Sequence, residues 1–197
     1  MRILVACEES QVVTNKFRSL GHEAWSCDIL PTSGENPQWH IQGDVLPLLN
    51  EFWDMVIAFP PCTYLSNAGA VHLYRGGKGE VNQERYEKGL EAKAFFMKFW
   101  EADIPRIAIE NPLPSKIYDL PKPSQVIQPW QFGHPTTKRT LLWLKGLPNL
   151  EYTNIVEPVT TTRTAGGWFT VGGKQRQILR SKTFEGIAEA MGEQWGK

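Results

Sequence analysis

Net charge is what this sequence most plainly lacks. Lysine and arginine number 21, aspartate and glutamate also 21. A domain that coats nucleic acid by charge alone would be strongly basic, so that class is disfavoured. Cysteine is scarce, at three of 197 residues (Cys7, Cys27, Cys62). Three widely spaced cysteines do not make a secreted disulfide framework. They also lack the CxxC or His-pair spacing of a metal site, and no metal is expected. No apolar run approaches the ~20 residues of a membrane span. MRILVACEES turns acidic too soon for a signal peptide. The expectation is a soluble, cytoplasmic protein without membrane contact. Glycine is missing where a nucleotide-binding chain most needs it. The turn after the first apolar run reads Cys7-Glu8-Glu9-Ser10-Gln11, with neither GxGxxG nor GxxxxGK[ST]. Dinucleotides and nucleoside triphosphates are therefore disfavoured. A ligand with a ribose but no phosphate fits better.

What is present is a chain long enough to bury about 70% of its unfolded surface. The pattern opens with strand, helix, strand: apolar Arg2–Ala6, a helix capped by Ser10 with Val12, Val13, Phe17 and Leu20 inward, a stop at Gly21, then His22–Cys27. His40–Gln42 reads as a weak strand and Asp54–Phe59 as the strongest one, stopped by Pro60-Pro61. Residues 61–81 read as a long glycine-bearing loop, of the kind that is functional or mobile. Glu84–Glu101 reads as a helix with Tyr86, Leu90, Ala94, Met97 and Phe99 on its apolar face. Arg106–Ile109, Gln125–Gln128 and Thr140–Leu144 read as strands. A last helix, capped by Thr183, runs to about Gln194. Alternating strands and helices predict an α/β fold around a mostly parallel sheet, helices on both faces.

Ligands of such sheets sit beyond the carboxyl ends of the strands. Cys7-Glu8-Glu9, Cys27-Asp28-Ile29, Gly43-Asp44-Val45, Pro60-Pro61-Cys62 and Glu110-Asn111 fall at those ends. Cys62 is a candidate nucleophile, although a free cysteine is more often a small buried hydrophobe. Glu110 is a candidate proton or hydrogen-bond donor, or else a carboxylate capping a loop. Asp28 is placed to accept from ribose hydroxyls, or is a solvated turn residue. Lys138 and Arg139 open a strand and could meet phosphate. Arg163, Lys174 and Arg176 lie in a stretch, 158–182, that is basic and holds two glycine pairs and two aromatics, as suits nucleic acid or a solvated arm.

Taken together these motifs resemble the cytosine-C5 DNA methyltransferase family, in particular its short phage and prophage members. Asp54-Met-Val-Ile-Ala-Phe-Pro-Pro-Cys62-Thr-Tyr-Leu-Ser66-Asn-Ala-Gly69 resembles the Pro-Cys motif, Ile109-Glu110-Asn111 the Glu-Asn motif and Gly43-Asp44-Val45 the Gly-Asp motif. Of the Gln-x-Arg-x-Arg motif only Arg139 is matched, and the family's Phe-x-Gly-x-Gly is replaced by Cys7–Gln11. Ser181–Trp195 resembles the closing helix.

The resemblance implies a Rossmann-like S-adenosylmethionine-dependent methyltransferase fold, with residues 1–197 as one catalytic domain. It implies Cys62 as nucleophile on cytosine C6, Glu110 at N3 and Arg139 orienting the base. Cys7, Glu8, Ser10, Asp28, Ile29, Asp44, Val45 and Pro60 would line the S-adenosyl-L-methionine site. Ser66, Asn111, Lys138, Arg163, Lys174 and Arg176 would meet DNA. Only about 40 residues separate Arg139 from the last helix, too few for a full target-recognition domain. That predicts loose sequence preference, or specificity borrowed from a second copy or a partner. It leaves open action on a free pyrimidine nucleotide, single-stranded DNA or RNA, or a non-catalytic binding role.

Overall fold

The computed structural model describes residues 1–74, 79–161 and 182–197. Apolar runs without polar alternation build its centre, as buried parallel strands require. β1 (Arg2–Ala6), β2 (Glu23–Asp28), β3 (His40–Gln42), β4 (Met55–Ala58) and β5 (Ile107–Asn111) pair parallel, in the order β3-β2-β1-β4-β5. This is the doubly wound order, and it reverses between β1 and β4. Beyond β5 the hand of the pairing changes. β8 (Thr140–Lys145) runs antiparallel to β5, and β6 (Gln125–Ile127) antiparallel to β8, closing a seven-stranded sheet. A separate two-stranded ladder joins β7 (Thr136–Thr137) to β9 (Thr160–Thr161). The protein is thus α/β with a mostly parallel sheet.

Helices cover both faces. On one, α1 (Val12–Ser19) and α3 (Glu185–Trp195) pack on Ile3, Val5, Met55, Ile57, Ala108 and Leu142. On the other, α2 (Gln83–Trp100) packs on Leu4, Ala6, Val56, Ala58, Ile107 and Ile109. Three tryptophans are fully buried, and each places its indole N–H: Trp53 donates to Leu48, Trp143 to Pro121 and Trp195 to Pro148, at 2.7, 2.7 and 3.0 Å. Among the described residues no helix is long and apolar enough to cross a membrane.

Several local expectations are corrected. α2 does not turn Leu90 and Ala94 inward; both are exposed, and the buried positions are Gly89, Phe96 and Phe99. Gly89 sits under the Tyr118 ring, where any Cβ would collide. A glycine in the buried seam hides the stripe from a hydrophobicity count. Ser10 does not cap α1 and Thr183 does not cap the last helix; Gln11 and Phe184 hold those positions, neither with a side-chain cap. At the other end of α1, Gly21 (φ 84°) does act as expected. Its N–H reaches Arg18 and that of His22 reaches Phe17, the paired bonds of a Schellman stop. The 61–81 loop is not structureless, since Asn67–His72 forms a 3-10 helix capped by Ser66.

Candidate functional site

Register aligns the strand ends. Ala6 pairs with Cys27 and with Ala58, and Ala58 with Ile109. The following residues, Asp28, Cys7, Phe59 and Glu110, therefore form one row along the carboxyl edge. The strand order reverses within that row, where doubly wound sheets open their ligand crevice.

At the β1 end the chain turns sharply. Cys7 and Gln11 both adopt left-handed φ of 59°, rare for residues other than glycine. Between them Glu8 folds back beneath α1. Its carboxylate accepts the Val13 N–H (2.7 Å), the Thr14 N–H (3.2 Å) and the Thr14 hydroxyl (2.7 Å). Glu8 is only 4% exposed. Burial pushes its carboxyl up to about 7, against the pull of those three donors. Gln11 fills the other side of the turn. Its amide donates to the Asn36 carbonyl (2.8 Å) and its oxygen accepts the Asn36 N–H (3.2 Å). Ser10 is half-buried beside it.

Asp28 is half-buried, and its carboxyl is raised chiefly by burial and further by Glu9. One oxygen accepts the Leu30 N–H (2.9 Å). Ile29, next along, is 76% exposed, whereas Val45 is 5% exposed and belongs to the α2-side core. Asp44 is exposed and accepts the Leu46 N–H (3.0 Å). Two of the three cysteines are held as thiols. Burial and then Asp28 push the Cys7 thiol well up, and the same causes in the same order push Cys27 to about 11. Cys62 is half-buried at the β4 end, off the strand itself.

The β4 and β5 ends are tied together. The Asn111 amide donates to the Pro60 carbonyl (3.0 Å), two residues before Cys62. Asn67 N–H donates to Leu113 (2.8 Å) and Ser115 N–H to Leu65 (2.7 Å), so the turn after Cys62 pairs with the turn after Asn111. Asn111 is 1% exposed and Pro60 is buried. Ser66 is also buried, its hydroxyl accepting the Gly69 N–H (3.2 Å). Asn111 and Ser66, which the resemblance would set against DNA, are thus both buried: Asn111 ties the Pro60 turn to the end of β5, and Ser66 caps the short helix that follows Cys62.

Glu110 points to the α3 face. With Phe59, Lys138, Thr140, Thr183, Phe184, Ile187 and Met191 it lines a cavity of about 10 Å³, room for about one water. Burial raises the Glu110 carboxyl, while Lys138 and a hydrogen bond with Thr140 act the other way. The Lys138 ammonium also lies 5.8 Å from the Phe184 ring. Among the described residues the cation facing Glu110 is thus Lys138; Arg139 is exposed. Leu142 of β8 pairs with Glu110, alternation puts Thr140 on the same side, and Lys138, just before the strand, lines the cavity with them. The start of α3 is pinned over the cavity. Gly186 N–H donates to His134 Nε2 (3.0 Å), and the His134 and Phe184 rings lie 5.1 Å apart. Phe59, His134 and Phe184 had no sequence signal as site residues; Phe59 arrives with the parallel register of β4, and His134 and Phe184 with the packing of α3 over the cavity.

Arg163, Lys174 and Arg176 lie outside the described residues. Among the described residues, no three of His, Cys, Asp and Glu gather to hold a metal ion. No family model matches the chain, and no curated protein matches it.

Proposed function

We propose that the chain transfers a methyl group from S-adenosyl-L-methionine to C5 of cytosine in DNA, through a covalent bond between Cys62 and C6. The observation that carries this reading is the tie between the β4 and β5 ends. Asn111 holds the turn bearing Cys62 beside the strand bearing Glu110. The resemblance of these same residues to the Pro-Cys and Glu-Asn motifs supports it. So does the sheet, whose first five strands follow the doubly wound order expected of a Rossmann-like methyltransferase.

The residues at the β1 and β2 ends fit the proposed cofactor. Glu9 Oε1 is buried and takes no hydrogen bond among the described residues, an acceptor awaiting a donor. Asp28 would accept from the ribose hydroxyls, Ile29 would lie against the adenine and Asp44 would accept from its amino group. When bound, the sulfonium supplies an electrophilic methyl group.

The chain's own residues do the rest. The Cys62 thiolate adds to C6 and breaks the C5–C6 double bond. Glu110, raised by burial toward its neutral form, donates a hydrogen bond or proton at N3, so that charge does not build on the ring. C5 then takes the methyl. Loss of the C5 proton to a base restores the double bond and expels Cys62. Lys138, opposite Glu110, tunes the carboxyl that must be protonated. The base would be admitted beside Glu110, in the space that Phe59, Thr183 and Phe184 border. In duplex DNA it must first leave the stack.

Incubation of the chain with labelled methyl donor and duplex DNA tests the reading. Label in 5-methylcytosine, lost in Cys62→Ala, is expected. Absence of label across duplex DNA, single-stranded DNA, RNA and free nucleotides would overturn it. Label in a free nucleotide or RNA alone would keep the chemistry and change the substrate.

A further inference from the structure

The turn after the first strand of a doubly wound sheet ordinarily receives phosphate. The free N–H groups at the start of the first helix point at it, and the helix dipole favours negative charge there. α1 has that position, but two of the N–H groups in its first turn are already engaged. Those of Val13 and Thr14, with the Thr14 hydroxyl, all donate to the Glu8 carboxylate. Glu8 itself is almost wholly enclosed. The turn is also set rather than pliable. It holds no glycine, and Gln11 bonds it to Asn36 through both ends of its amide.

We infer that Glu8 is a built-in stand-in for the phosphate of a nucleotide ligand, and that it restricts this crevice to ligands carrying no phosphate at the helix start. The inference deepens the functional reading above and rests on it for the identity of the ligand. A phosphate entering here would have to expel a buried carboxylate from its three donors. The expelled carboxylate would then stand against the incoming dianion, with Glu9 and Asp28 close by. Like charges in a desolvated site oppose both ionising together. A nucleoside ending in a cationic or neutral group meets neither penalty. Glu8 is thus a specificity-determining residue that contacts its own helix, not the ligand.

The test follows the amide resonances of Val13 and Thr14 at pH 8 in the full chain, while inorganic phosphate, ADP, adenosine and S-adenosyl-L-methionine are added separately. In the unaltered chain, phosphate and ADP should leave both amides unmoved. In Glu8→Ala they should shift both amides, and ADP should bind at least ~10-fold more tightly than to the unaltered chain. Adenosine affinity should change by less than about threefold. Should Glu8→Ala fold poorly, Glu8→Gln keeps the shape and removes the charge; a smaller gain of ADP binding is then expected. Phosphate-induced shifts of Val13 and Thr14 in the unaltered chain would overturn the inference. So would variants that gain no ADP binding. If phosphate is excluded as expected but neither adenosine nor S-adenosyl-L-methionine binds, the inference about Glu8 stands and the functional reading fails.

Discussion

Two glutamates stand at the carboxyl ends of parallel strands, and their fates differ. Glu8 follows β1 and is consumed by structure, with three donors from α1 on its carboxylate. Glu110 lies within β5 and faces a small cavity shared with Lys138, Thr140 and Phe184. Both are pushed toward the neutral form by burial. What separates them is the chain that follows. After Glu8 a helix begins within five residues and offers unpaired N–H groups, which a carboxylate satisfies. After Glu110 come Asn111 and Pro112, and among the described residues no α-helix follows in sequence before α3 at Glu185–Trp195. A carboxyl at a strand end is taken up by the following helix when one starts within a few residues, and otherwise faces what later elements bring to it, here Lys138 and Thr140.

Neutral substitutions should split the pair most widely. Glu110→Gln should cut single-turnover methyl transfer by about 10²–10⁴-fold, the usual worth of a positioned proton donor. Glu8→Gln should leave turnover within about threefold, since its carboxylate touches no substrate. Equal losses would erase the distinction. Stability should respond to pH next. The folded values of Glu8, Glu110 and Asp28 all lie above their unfolded ones. The contribution of the two glutamates is therefore fully present below about pH 4.5, and that of Asp28 below about pH 3.8. For Glu8 it is lost as pH rises through about 7. Urea midpoints should fall between pH 5 and pH 8. Glu8→Gln should flatten that fall by up to ~3 kcal/mol. A midpoint that rises over this range would contradict the burial of these carboxyls.

Smaller effects belong to the cover of the Glu110 cavity. A Cβ on Gly186 would run into the Phe132 carbonyl. Gly186→Ala should cost about 1–3 kcal/mol in urea unfolding and should displace Phe184 from Glu110. The smallest is electrostatic. Lys138→Met removes the cation that favours ionised Glu110, so the pH profile of turnover should move to higher pH by about one unit or less. Arg139→Met should leave that profile in place, because Arg139 is exposed and Lys138 lines the cavity.

The parallel half of the fold was legible because buried strands without polar alternation announce themselves: Arg2–Ala6, Asp54–Phe59 and Arg106–Ile109 all lie in or against observed strands. The row of strand-end residues followed from that order. The antiparallel return of β8 was not legible, since a run such as Thr140–Leu144 reads alike in either direction. With it went the identity of the cation at Glu110, which depends on the β5–β8 register. Glu8 was read as a ligand residue because its donors lie across the left-handed turn at Gln11, a conformation no local rule assigns to glutamine. The burial of Asn111 was not legible for a similar reason, since its partner, the Pro60 carbonyl, is fixed by how the turns after β4 and β5 fold against each other.

The most direct measurement is covalent trapping. Duplex DNA carrying 5-fluorocytosine, in which C5 has no proton to lose, is mixed with the chain and S-adenosyl-L-methionine, and the product is mapped by peptide mass spectrometry. A 1:1 adduct joining Cys62 to the fluoropyrimidine is expected, dependent on the cofactor and absent in Cys62→Ala. An adduct at Cys7 or Cys27, or none while the DNA is bound, would contradict Cys62 as the nucleophile held beside Glu110.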